Sequence, residues 1–153
     1  MPHLLRGRRR REFGTSNMQK LFHFDSPVEV YQADACVLTC FDARFELVVR
    51  KFLRRRGVAL YDQIKIPGAA KALAAPVSDG DRDFVLRMLA TSISLHGPKR
   101  MILTGHNDCG AYIGRPPEEV ASDIERAAEV IRAAQPSLAL ERYFFDFDGV
   151  YQV

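Results

Sequence analysis

The chain has 153 residues, 47% of them apolar, and a net charge of +3. This length suits one domain that buries its own core, so neither a disulfide scaffold nor a disordered chain is expected. No apolar run approaches the ~20 residues needed to cross a bilayer. The three cysteines, an odd number, favour metal binding or catalysis in a reducing compartment. Because the N-terminus lacks the apolar stretch of a secretory signal, we expect a cytoplasmic protein.

The positive charge is concentrated in the first 17 residues. Five arginines and one glutamate give residues 1–17 a net +4, which leaves −1 for the chain from Met18 onward. We predict a basic, disordered extension over residues 1–17 and a single domain over residues 18–153. Met18 is an alternative start to Met1. Alternatively, residues 1–17 form a phosphate-binding arm. A basic tail on a domain that lacks a basic face is weak evidence for nucleic-acid binding.

From residue 35 the sequence pattern changes from strand to helix. Residues 35–40 form an apolar run rich in strand formers, which predicts a strand buried on both faces. After Asp42, apolar residues recur at helical spacing, and Gly57 ends the predicted helix.

The rest of the chain repeats this alternation. A second strand is predicted at residues 61–66, a helix follows that ends at Gly97, and a third strand occupies residues 100–104. The last helix opens at Pro116, and the last strand is expected at residues 143–147. Such alternation predicts an α/β fold of three layers, in which helices flank a mostly parallel central sheet.

Two short segments carry the residue types of a metal site. Residues 40–44 (Cys-Phe-Asp-Ala-Arg) end the first strand, and residues 106–110 (His-Asn-Asp-Cys-Gly) follow the third. If these strands are neighbours with crossovers on opposite faces, both segments meet in one crevice at the carboxyl end of the sheet. Two thiolates and an imidazole suit zinc, and three protein ligands leave one position open. The sequence therefore predicts zinc bound by Cys40, His106 and Cys109.

Asp42 and Arg44 allow two interpretations. They could form a solvated pair, in which Asp42 simply caps the helix. Alternatively, Arg44 holds Asp42 ionised beside water at the metal, where the carboxylate accepts a proton or orients the water. Without Arg44, Asp42 could become a fourth metal ligand and close the site.

Four other residues receive structural interpretations. Cys36 lies within the first strand and is expected to be a small buried hydrophobe. His96 has no partner at a ligand spacing. Gly105 and Gly110 are expected to permit close backbone approach or turns around the second segment.

The two segments resemble the signature motifs of the β-class carbonic anhydrases, Cys-x-Asp-x-Arg and His-x-x-Cys-Gly. The similarity covers roughly residues 34–149, and residues 145–149 resemble the last core strand of that family and the turn after it. The resemblance implies the family's fold, a zinc cofactor and a homodimer or higher homo-oligomer.

The resemblance also implies an activity. Cys40, His106 and Cys109 would bind Zn2+, and Asp42 with Arg44 would form the catalytic dyad. The implied reaction is the hydration of carbon dioxide to bicarbonate, with carbon dioxide and bicarbonate as the small-molecule partners. Because the sequence has no long apolar run, no membrane partner is expected.

The chain departs from the family's pattern in three places. First, it is short for the family and lacks the long N-terminal helices. Second, residues 66–70 read Ile-Pro-Gly-Ala-Ala, where the family often has an Arg-Asn-Ala-Gly type sequence. Third, the link between Cys109 and the last strand is compressed. The expected pocket is therefore trimmed around a complete metal site. Two alternatives follow: a zinc hydrolase for carbonyl sulfide or carbon disulfide, and a non-catalytic zinc protein in which the metal is structural or sensed.

Overall fold

The computed structural model describes residues 18–153. Within them, Gln32–Val153 form one compact unit, whereas residues 18–31 belong to a separate unit and contain neither helix nor strand. The extension predicted over residues 1–17, with its arginines, lies outside the described residues. The domain boundary at Met18 stays a prediction.

Strands and helices alternate along the described residues. In chain order they are β1 (Ala35–Thr39), α1 (Ala43–Arg55), β2 (Tyr61–Lys65), α2 (Lys71–Ala74), α3 (Asp79–His96), β3 (Arg100–His106), a 3-10 turn (Gly110–Tyr112), α4 (Pro117–Ala134), β4 (Ala139–Phe145) and β5 (Val150–Gln152). Among residues 18–153, none of the helices combines the length and the apolar composition that spanning a membrane would require.

The five strands form one sheet in the order β2-β1-β3-β4-β5. All neighbouring pairs are parallel except β4 and β5, which are antiparallel. Alternate residues of β1 enter two separate cores. Val37 packs with Phe45 of α1 on one face, and Leu38 packs with Leu89 of α3 and Ile124 of α4 on the other. The predicted α/β fold, a mostly parallel sheet flanked by helices on both faces, is confirmed.

The strand order places the candidate metal segments side by side. From β1 the chain crosses through α1 to β2 on one side, and from β3 it crosses through α4 to β4 on the other. Because α1 and α4 cover opposite faces, the direction of winding changes between β1 and β3. The carboxyl ends of these two strands therefore border the crevice in which α/β proteins bind ligands.

Two strand predictions need correction. The third strand extends past its predicted end at residue 104, so His106 is its last residue rather than a loop residue. The strand predicted at residues 143–147 begins at Ala139 and stops at Phe145, and β5 then pairs back on it. The polar residues of β4 concealed its start. Glu141, for example, extends to an ion pair with Arg100 on the neighbouring strand, at 2.8 Å.

Candidate metal centre

The topology brings the three predicted ligands together. Cys40 directly follows β1, His106 ends β3, and Cys109 lies in the turn after β3. Their side-chain donor atoms all lie within 4.8 Å of one another. The two sulfur atoms of Cys40 and Cys109 are 3.9 Å apart. Among residues 18–153 this is the only such group of three or more metal-binding side chains.

The imidazole of His106 is oriented as a metal ligand would be. Its Nδ1 lies 2.7 Å from the backbone carbonyl oxygen of Asn107. Because a carbonyl oxygen only accepts hydrogen bonds, Nδ1 carries a proton, and in the neutral imidazole Nε2 would present its lone pair. Nε2 is buried and has no hydrogen-bond partner, a costly state for a polar atom unless something binds it. The ring of Phe45 packs 4.4 Å from the imidazole centroid and helps to hold it in place.

The two thiols are within hydrogen-bond distance of each other, with 3.9 Å between their sulfur atoms. The hydrogen bond from Cys109, more than any other contact, lowers the pKa of Cys40, and backbone N–H groups such as that of Gly68 lower it further. The same sulfur–sulfur contact, followed by burial, raises the pKa of Cys109. The contact therefore favours the first ionisation of the pair and opposes the second. A divalent cation could bind both sulfur atoms in place of their protons, because metal binding requires deprotonated thiols and releases their protons.

The loop over residues 66–70, where the sequence departs from the family, forms one wall of this cluster. Gly68 has a φ of +76°, and a Cβ atom there would lie only 2.9 Å from the Cβ of Ala111. A glycine at this position lets the loop pack directly against the turn that follows Cys109. Its N–H also contributes to the lowered pKa of Cys40, so the loop supports the sulfur atoms through its backbone.

Asp42 both caps α1 and pairs with Arg44. Its Oδ1 accepts the backbone N–H of Arg44 at 3.0 Å, which satisfies the start of the helix. The guanidinium also donates three bonds, from Nε to Oδ1 at 3.0 Å and to Oδ2 at 3.2 Å, and from Nη2 to Oδ2 at 2.7 Å. These bonds lower the pKa of Asp42 to about 2. The two interpretations drawn from the sequence are therefore compatible.

The ionised Asp42 carboxylate lies beside the cluster without belonging to it. Its Oδ2 is 4.0 Å from the bare Nε2 of His106. Asp42 is not a member of the group of donor atoms that could hold a metal ion. Arg44 holds Asp42 here, and the roles predicted for the two residues at a metal stay predictions.

Sequence reasoning missed Asp108, which is the second partner of Arg44. Nη1 of Arg44 lies 2.9 Å from Oδ2 of Asp108, and Nη2 lies 2.9 Å from its backbone oxygen. Its position in the sequence could have indicated a role, because Asp108 lies between the predicted ligands His106 and Cys109.

Asn107 and Asp146 were also missed. The amide of Asn107 donates to Asp146 at 3.0 Å, and its backbone N–H donates to the carbonyl of Phe145 at 2.9 Å. These bonds attach the segment after β3 to the end of β4. Supporting contacts of this kind orient metal ligands in proteins.

The space around the cluster differs between its two sides. On the α1 side, a crevice of about 10 Å³ is lined by His106, Phe45 and Gln63, which is room for about one water molecule. A pocket of about 240 Å³ adjoins Cys109 and the start of α4. The open space next to the ligand segments therefore suits a small molecule.

The other residues singled out in the sequence have surroundings that fit structural roles. Cys36 is fully buried, and burial raises its pKa to about 11, in agreement with its interpretation as a core residue. His96 does have a partner, because its Nδ1 lies 2.9 Å from Asp62. At Gly105 a Cβ atom would meet Val120 at 2.5 Å, whereas at Gly110 it would meet nothing within 4 Å. Of these two positions, only Gly105 lies so close to another element that a side chain would not fit.

Solved structures share this fold at low sequence identity. A carbonic anhydrase of Streptococcus mutans is 16% identical with a TM-score of 0.62, over 86% of this chain and 88% of that chain. A tetrameric β-carbonic anhydrase of Sordaria macrospora is 13% identical with a TM-score of 0.56, over 80% and 81%. The apo form of a carbon disulfide hydrolase is 14% identical with a TM-score of 0.50, over 80% of each chain.

Comparisons of sequence identify the family. Among curated proteins, no sequence matches this chain. A family model described as "Putative carbonic anhydrase" matches residues 31–153, a range that includes the whole compact unit and the candidate metal centre. The chain belongs to this carbonic anhydrase family.

Proposed function

We propose that this chain is a zinc-dependent enzyme that hydrates carbon dioxide to bicarbonate, releasing one proton. Cys40, His106 and Cys109 would hold Zn2+, and Asp42 with Arg44 would form the catalytic dyad. The observation that carries the proposal is the buried, unpartnered Nε2 of His106 beside two thiols. Membership of the carbonic anhydrase family supports it.

Each side chain of the centre would have a defined task. Zinc held by two thiolates and an imidazole would supply Lewis acidity, which makes water more acidic near neutral pH. With a pKa of about 2, Asp42 is a poor proton store at neutral pH. It would instead accept a hydrogen bond from the reacting water and orient it. Arg44 would keep that carboxylate ionised and correctly turned.

The position of Asp42 favours an enzyme over a structural zinc protein. Structural zinc sites are usually closed by four protein ligands. Here three donors converge, while the nearest carboxylate is engaged by Arg44. A non-catalytic role would need Asp42 to leave Arg44 and join the metal.

A second candidate function is the hydrolysis of carbon disulfide or carbonyl sulfide. The likeness to a carbon disulfide hydrolase supports it at the level of fold. Two aromatic side chains near the dyad are also well exposed, Phe41 at 63% and Phe147 at 62%. Such rings would favour an apolar, linear electrophile, a description that fits carbon dioxide and its sulfur analogues alike.

The test uses the full chain loaded with zinc. Stopped-flow assays with carbon dioxide, carbonyl sulfide and carbon disulfide identify the substrate, and Asp42→Ala should abolish most of the turnover. Glu129→Gln, which removes an exposed ion pair on α4, serves as the control and should keep full activity. Full zinc occupancy without turnover of any of the three substrates would refute the enzyme proposal.

We further propose a cytoplasmic homodimer or higher homo-oligomer with its domain over residues 18–153. The tetrameric state of the Sordaria macrospora relative supports self-association. Light scattering after size-exclusion chromatography measures the mass directly, and a monomer at micromolar concentration would contradict the proposal.

A further inference from the structure

Arg44 is held by two aspartates rather than one. Asp42 accepts from its Nε and Nη2, while the carboxylate and backbone oxygen of Asp108 accept from Nη1 and Nη2. Because the guanidinium is a rigid, planar fork, contacts on both of its edges fix its plane as well as its position. Arg44 therefore links the start of α1 to the segment between His106 and Cys109.

The backbone of Asp108 is shaped for this contact. Its φ is +51°, a left-handed conformation that is uncommon outside glycine, although aspartate and asparagine adopt it more readily than most. Its N–H is bonded to the side chain of Asn107 at 2.8 Å. In this conformation Asp108 presents both its carbonyl and its carboxylate to one guanidinium. Unusual backbone of this kind persists where its surroundings enforce it, and it clusters at functional sites.

The exposure of the two aspartates separates their roles. The side chain of Asp42 is 19% exposed and that of Asp108 is 72% exposed. An exposed ion pair adds little to stability, since water and salt screen it. We therefore expect the bond to Asp108 to contribute through the orientation of Arg44 rather than through the stability of the fold. The ring of Phe147, 5.5 Å from the guanidinium carbon, lies against the same group.

We propose that Asp108 is a positioning residue that keeps Arg44 turned toward Asp42 and thereby keeps Asp42 away from the metal position. The proposal rests on the proposed zinc site. Asp42 has only a short way to travel, because its Oδ2 lies 4.0 Å from Nε2 of His106. Without the second anchor, Arg44 is free to turn toward solvent and to release Asp42 as a competing ligand.

Two substitutions remove the anchor in graded steps. Asp108→Gly keeps a residue suited to the left-handed backbone and deletes the carboxylate. Asp108→Asn keeps the size, the backbone preference and one acceptor oxygen while it removes the charge. Glu129→Gln is the matched control, because Glu129 is also 72% exposed and also pairs with an arginine.

The readout is independent of turnover. The full-length variants are loaded with Co2+, and their visible spectra are titrated with azide, which binds only if a coordination position is accessible. We expect Asp108→Gly to weaken azide binding about tenfold to a hundredfold, the usual range for partners that orient a metal site. Asp108→Asn should lie between Asp108→Gly and the wild type, and Glu129→Gln should match the wild type. In Asp108→Gly combined with Asp42→Ala, azide binding should return, because the competing carboxylate is gone.

A second arm needs no metal. In the metal-free protein, the Nε–H of Arg44 should exchange faster with water in Asp108→Gly than in the wild type, as measured by NMR. Unchanged azide affinity in Asp108→Gly would overturn the proposal. Failure of the double variant to recover azide binding would do the same, as would loss of cobalt from both Asp108 variants. A protein that binds azide as expected but turns over no substrate would contradict only the proposed function.

Discussion

Each end of the parallel sheet carries a cysteine, an aspartate and a histidine, but the two sets are bonded differently. They are Cys36, Asp62 and His96 at the amino end and Cys40, Asp42 and His106 at the carboxyl end. At the amino end, Asp62 lies 2.9 Å from Nδ1 of His96 and accepts the hydroxyl of Ser92 at 2.6 Å. At the carboxyl end, Asp42 is engaged by Arg44 instead, and Nε2 of His106 is left bare.

The thiols differ in the same sense. Burial raises the pKa of Cys36 to about 11, so it remains a neutral core residue. Cys40 has a lowered pKa, because Cys109 and backbone N–H groups stabilise its thiolate. Residue types alone therefore do not make a candidate metal centre. What distinguishes the carboxyl end is that its donors converge while their usual partners are engaged elsewhere.

The largest expected effect comes from replacing one histidine at each end. His106→Ala removes one of the three proposed zinc ligands, so zinc content should fall from about one ion per chain to near zero, and carbon dioxide hydration should fall to the uncatalysed rate. His96→Ala should retain zinc. Elemental analysis of the purified variants measures both. Zinc retained in His106→Ala, or lost in a folded His96→Ala, would break the comparison.

The aspartates should show the next largest difference. Asp42→Asn should lower kcat by roughly 10²–10⁴-fold, the range for a positioned group that handles a proton or orients water, with zinc content unchanged. Asp62→Asn should leave kcat unchanged and lower the free energy of unfolding by about 1–3 kcal/mol, because Ser92 and His96 lose a charged acceptor. Stopped-flow kinetics and urea denaturation measure the two quantities. Equal losses of kcat in both variants would contradict a special role for Asp42.

Much of the fold and the metal cluster could be predicted from sequence because the signals are local. The apolar run at residues 35–40 reflects a strand that is buried on both faces. The helical spacing of apolar residues after Asp42 reflects a helix that is buried on one face. The ligand spacing then placed Cys40, His106 and Cys109 at strand ends. Parallel topology brings those ends together once β1 and β3 are neighbours, which the strand order β2-β1-β3-β4-β5 makes them.

The rest depends on contacts between distant residues. The start of β4 was missed because Glu141 is polar in sequence and finds its partner on another strand. The role of Asp108 follows from a left-handed backbone angle and from a guanidinium that lies 64 positions away in sequence. The glycine at Gly68 gains meaning only from Ala111, which packs against it. Spacing along the chain carries none of this information.

Two glycines near the carboxyl end give a smaller and purely steric effect. In Gly105→Ala, the new methyl group would lie 2.5 Å from Val120 on α4, and overpacking of this kind lowers the free energy of unfolding by about 1–3 kcal/mol. Gly110→Ala meets nothing within 4 Å and should change stability by less than about 0.5 kcal/mol. Urea denaturation of the metal-free variants compares them. Equal stability would show that α4 can move away from β3 at little cost.

The smallest expected effect concerns Asp34, at the amino end of the sheet. Backbone N–H groups of Leu60 and Ala59, each 2.9 Å from its Oδ2, lower its pKa. A carboxyl group whose pKa is lower in the folded state stabilises the fold above its unfolded pKa of about 3.9, and that contribution is lost as the pH falls through the folded pKa. Because Asp34 is exposed, the stabilisation should stay below about 1 kcal/mol.

The difference in unfolding free energy between the wild type and Asp34→Asn should therefore be largest near pH 7 and should vanish at the lowest pH reached. Asp34→Ala, which also removes the acceptor, should remain less stable than Asp34→Asn by an amount that does not vary with pH. A difference between wild type and Asp34→Asn that widens toward acid would show that Asp34 is not the anchor of the loop before β2.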